Sequence, residues 1–198
     1  MNYKEFFQDK NLAKALAVTV ATDALGHKAN TLAVSIAPVM DPDKVTAILV
    51  AGGNPDANSQ FTGISPEKYA QDAYGLGGAK DTLTELLRDY SFIVTYAYRL
   101  FTQAQLIKTF PEIFMGKFMV DIVNMQRIRD IGEEQAICAK AKSVRDLSYE
   151  IEMDLMQYRG GLKFHDALHK CGLPLSELPA YQAAAVNTAR LFQHLVLT

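Results

Sequence analysis

Few residues of this chain have the types and spacing that chemistry needs. His165-Asp166-Ala167-Leu168-His169 sets two imidazoles at i and i+4, the spacing at which one helix face can grip a zinc ion. The metalloprotease pattern with that spacing places Glu directly after the first His, and the shorter arm of Asp166 would misplace a general base. A polar helix face is the simpler account. Gly75-Leu76-Gly77-Gly78-Ala79-Lys80 is rich in glycine and ends on a lysine, but it fits neither G-x-G-x-x-G nor the Walker spacing, so it reads as a break between helices. Asp23, Asp121 and Glu177 are acids near the ends of expected elements, and surface solvation accounts for each. There is no G-x-S-x-G elbow and no Ser/His/Asp set at motif spacing; His27 and His194 stand apart from any motif. Cys138 and Cys171 form neither a disulfide framework nor a metal quartet, which suits buried thiols in a reducing compartment.

The elements that must position these side chains follow from patterning. Residues 15–21 read as a buried strand and 31–39 as a second. Met40-Asp41-Pro42-Asp43 has Asp and Pro where a type I turn wants them, and 44–50 reads as the returning antiparallel strand. After a loop over 52–63, Ser65-Pro66-Glu67 opens a helix with an N-cap, a first-turn proline and an acid at the positive end. Residues 81–89 continue as helix, 91–95 as strand, 100–108 as helix, 118–122 as a fifth strand and 123–129 as a short helix. Between 133 and 158 the residues Ile137, Val144 and Ile151 fall seven apart, the stripe of a long amphipathic helix that packs on its own domain or meets a partner. Helices over 162–171 and 183–196 close the chain. Strands alternating with helices after an opening antiparallel trio predict an α/β layered fold with a mixed sheet.

With 198 residues, 49% hydrophobic and 21% charged, the chain fits one globular domain, 1–198, carrying the added helical segment at about 130–160. A net charge of −2 lacks the strong positive field of a general nucleic-acid binder, though it leaves room for a local groove. Residues 1–14 hold no apolar stretch of signal-peptide length, and no run approaches bilayer length. A soluble cytoplasmic protein without membrane contact is the expectation.

Several segments, taken in order, resemble the DnaQ-like (DEDD) 3′-to-5′ exonucleases. Residues 16–26, LAVTVATDALG, resemble that family's first strand, apolar residues followed by D-x-E-T-T-G-L, with Thr19 at the Asp and Ala21 at the Glu. Gly63-Ile64-Ser65-Pro66-Glu67 resembles H-G-I-T-P-E, with Thr62 at the His. Residues 94–106, VTYAYRLFTQAQL, resemble V-A-H-N-A-x-F-D-x-x-F-L, placing Thr102 at a metal-binding Asp. Val120-Asp121 resembles the fifth-strand D-T, and Cys171-Gly172-Leu173-Pro174 the L-G-I-P helix end. Residues 179–192, PAYQAAAVNTARLF, resemble H-R-A-L-D-D-A-x-x-T-A-R-L-F, placing Pro179 at the general-base His and Ala184 at the last metal-binding Asp. The likeness spans about 14–128 and 162–196.

The resemblance implies an RNase H-like three-layer fold with a mixed five-stranded sheet flanked by helices. It also implies a degenerate member, because hydrolysis in this family uses two divalent ions and hard cations need carboxylate ligands. Thr19, Ala21, Thr102 and Ala184 supply none, and Pro179 takes no proton. These five become vestigial positions, with no catalytic residue, no metal and no cofactor. The expected role is binding, of a protein partner or second copy through the 133–158 helix, or of single-stranded nucleic acid or a nucleotide. Tyr96, Tyr98 and Arg99 are the candidate contacts, by stacking on bases and pairing with phosphate. The alternative is an active metal-dependent exonuclease whose ligands have moved to acids such as Asp23, Asp121 and Glu177.

Overall fold

The computed structural model describes residues 3–26, 28–96, 102–114, 116–123, 125 and 163–198. Its centre is one sheet of five strands: β1 (Ala15–Thr22), β2 (Thr31–Pro38), β3 (Thr46–Leu49), β4 (Phe92–Thr95) and β5 (Phe118–Asp121), in spatial order β3-β2-β1-β4-β5. The first three strands run antiparallel to one another, while β4 joins β1 and β5 joins β4 in parallel. The expectation of a mixed five-stranded α/β sheet flanked by helices is met.

Strand β1 and its neighbour β2 alternate small and large residues instead of polar and apolar ones. Leu16, Val18, Val34, Ile36, Ile48 and Ile93 turn to one face, where they pack with Ala79, Leu83 and Leu87 and with Leu106 and Phe110. Ala15, Ala17 and Ala37 turn to the other, beside Phe92 and Val94. Both faces are buried, so the alternation is one of volume. Each large aliphatic side chain buried in this way contributes on the order of 1.5–3 kcal/mol.

The helices are α1 (Tyr3–Phe6), α2 (Asp9–Leu12), α3 (Ser59–Thr62), α4 (Pro66–Asp72), α5 (Leu76–Leu86), α6 (Gln103–Thr109), α7 (Pro111–Phe114), α8 (Phe164–Lys170) and α9 (Ala180–Leu197). Ser65 caps α4 as its sequence requires, its hydroxyl accepting from the Lys68 amide at 3.2 Å with Pro66 in the first turn. Three boundaries differ from expectation. Helix α5 begins inside the glycine run, so Gly77 and Gly78 form its first turn instead of separating two helices. Helix α9 begins at Ala180, earlier than residue 183, because Pro179 is well placed to precede a first turn. Strand β3 is shorter than 44–50, since Lys44 belongs to the turn, its amide donating to the Asp41 carbonyl and its ammonium meeting the Asp41 carboxylate at 2.8 Å. The N-terminal helices were not foreseen. They exist to seat Phe7, which is buried edge-on to Phe92 and Phe192 at 5.2 and 4.9 Å. The 133–158 helix, and most of 123–129, lie outside the described residues.

Helix α9 lies over β1 and β2 on the small-residue face. Ala185, Ala189, Leu191, Phe192, Leu195 and Val196 join Ala17, Ala37 and Val94 in one core, to which α8 adds Ala167 and Leu168. Among the described residues, no helix is long and apolar enough to cross a membrane.

Candidate functional site

Thr19 and Ala21 occupy alternate positions of β1 and so share one face. Ala15 and Ala17, in the same alternation, pack into the core that contains α9, so that face is the one α9 covers. Across the ladder Thr19 stands opposite Ser35, and Ser35 opposite Ala47; Ala21 stands opposite Ala33, and Ala33 opposite Leu49. The central row therefore holds two hydroxyls. Both are buried, and neither Thr19 Oγ1 nor Ser35 Oγ has a hydrogen-bond partner among the described residues.

Two neutral hydroxyls do not fit a divalent cation. Magnesium sheds water reluctantly and is held through carboxylates, which bring the opposing charge that offsets dehydration. Ala21 packs against a cluster of Leu32, Ala33, Leu49, Ile64, Tyr69 and Tyr181, a setting that would penalise any unpaired charge.

Helix α9 brings the remaining positions. Pro179 precedes it, exposed, with its ring against Gly63, the αL residue that ends α3. A Cβ at Gly63 would lie 3.1 Å from the Ala180 amide nitrogen and 3.4 Å from Pro179 Cβ, so glycine there serves both the turn, at φ 70°, and the close approach. Tyr181 is buried and Ala184 half-buried one turn later; the Ala184 carbonyl accepts from Thr188 Oγ1 at 2.7 Å. Thr19, Ala21 and Ala184 thus belong to one helix-on-sheet layer. Thr102, buried, precedes α6 in the opposite layer. Helix α6 is fastened to the turn beyond β1: Gln105 Nε2 donates to the Gly26 carbonyl at 3.1 Å, Lys108 Nζ to the Ala29 carbonyl at 2.8 Å, and Thr109 meets Thr31 hydroxyl to hydroxyl at 2.9 Å.

The acids lie elsewhere. The β1 ladder shifts register between Ala21 and Thr22, which takes Asp23 out of the strand's alternation. Its carboxylate accepts from the Asn30 amide at 2.7 Å, from Asn30 Nδ2 at 2.8 Å and from the Asn54 amide at 3.2 Å. Burial works against its ionised form, but these hydrogen bonds outweigh that and hold the carboxyl below its ordinary value. Asp121 accepts from the Val123 amide at 3.0 Å, and Glu177 is exposed. Among the described residues, no three His, Cys, Asp or Glu side chains come together as a metal set. His165 and His169 are exposed on α8.

Tyr96 is half-buried with its ring on Phe164 of α8, centroids 4.7 Å apart. Tyr98 and Arg99 lie outside the described residues. Ser35 is the residue that sequence reasoning passed over. Its signal was available in the volume alternation of TLAVSIAP, which aligns Ser35 with the small face of its neighbour.

No family model matches the chain, and no curated protein matches it in sequence. Among solved structures it is similar to a moderately thermophilic Exonuclease I from Methylocaldum szegediense, at 11% identity and a TM-score of 0.57, over 90% of this chain and 41% of that one. The chain thus spans well under half of that exonuclease. At such identity the likeness is one of fold: three antiparallel strands followed by two parallel ones, in the order β3-β2-β1-β4-β5, form an exonuclease-like α/β sheet.

Proposed function

We propose that this chain keeps an exonuclease-like fold without metal-dependent phosphodiester hydrolysis and acts by binding. The observation that carries the reading is the face of β1 beneath α9. Thr19, Ala21, Ser35 and Ala33 line it, no carboxylate stands among them, and Tyr181 packs in the adjoining cluster. A hydrolytic pair of metal ions needs anionic oxygen ligands and a group to accept a proton from water. Threonine, alanine and proline at 19, 21 and 179 offer neither. Asp23 supports the reading further, since its carboxylate is already engaged by Asn30 and Asn54. Protein contact is favoured over nucleic acid as the ligand class by the net charge of −2, which gives no general attraction for phosphate.

The test is a nuclease assay with purified protein on labelled single-stranded DNA and RNA, with Mg²⁺ or Mn²⁺. The expected outcome is no chelator-sensitive degradation and no Mn²⁺ binding by paramagnetic resonance at the metal levels exonucleases use. Metal-dependent degradation that survives repurification and stops with chelator overturns the reading in favour of an enzyme with relocated ligands.

A further inference from the structure

We draw no further inference here: the strongest candidate, the cavity of about 360 Å³ between α5 and α7 where Lys80, Arg88 and Lys117 gather, carries nothing because Glu112 and Glu85 already pair with Lys80 and Arg88, the Leu87 and Tyr90 carbonyls hold the Lys117 ammonium, and none of the unpartnered buried groups among the described residues lines it to point to a ligand.

Discussion

At the scale of single residues, Asp23 shows how a side chain that looks available in sequence is occupied in the fold. Three donors from Asn30 and Asn54 tie the 23–30 turn to the loop after β3. Gly53 is part of the same junction, since a Cβ there would lie 2.6 Å from Leu32 Cδ2 and 3.2 Å from Asp23 Oδ2. Asp23→Ala should cost about 1 kcal/mol at neutral pH, the scale of hydrogen bonds to a partly exposed charged group. The folded pKa is depressed, so this stability is fully present above the unfolded value of about 3.9 and is lost as pH falls through the folded value. Urea unfolding of wild type and variant at neutral and strongly acid pH should show a gap that closes in acid; an equal gap at both would reject the ionic account. Nothing in the spacing of Asp23, Asn30 and Asn54 announced this clamp, because its partners come from a turn and a separate loop. Thr19 and Ala21 were legible by contrast, since period two on a strand fixes which residues share a side.

At the scale of elements, the junction of α3 with α9 is a close approach of two backbone segments far apart in sequence. Gly63 sits in the left-handed region with the Ala180 amide nitrogen against the place its side chain would take. Gly63→Ala should lower stability by about 1–3 kcal/mol through backbone strain and the displaced helix start, read as a fall in Tm. An unchanged Tm would mean that the two segments part at little cost. Within α9, Ala189 is fully buried against the sheet. Ala189→Leu should cost about 1–3 kcal/mol by overpacking, whereas the same change at exposed Ala180 should be near neutral. Strand positions and the α4 cap were readable because each rests on local chemistry: alternation, a serine, a proline. The early start of α9 and the two N-terminal helices were not, because long-range contact decides them. Phe7 has no local reason to be ordered until Phe92 and Phe192 are beside it.

At the scale of the molecule, β1 lies at the middle of the sheet, bonded to β2 on one side and β4 on the other and covered on both faces. Its amides should exchange with solvent only through global unfolding, while the outward amides of Ala47 and Leu49 should exchange orders of magnitude faster, a contrast measurable by native-state hydrogen exchange. Uniform protection along β3 would mean that its edge is already covered. The layer between sheet and α9 has a consequence for how this chain can vary. Ala17, Ala37, Ala185 and Ala189 join in one core where helix and sheet meet, with Thr19 and Ser35 in the adjoining row, while Leu16, Val18, Val34 and Ile36 fill the opposite side. A saturation scan along β1 and β2 would print a two-residue beat of tolerance: aliphatic exchanges accepted at even numbers, only alanine, serine, glycine or threonine at odd ones. The beat is strictest at 15, 17, 33, 35 and 37, which are fully covered, and relaxes at half-buried Thr19 and Ala21, so the end of β1 is where this layer has most room to change.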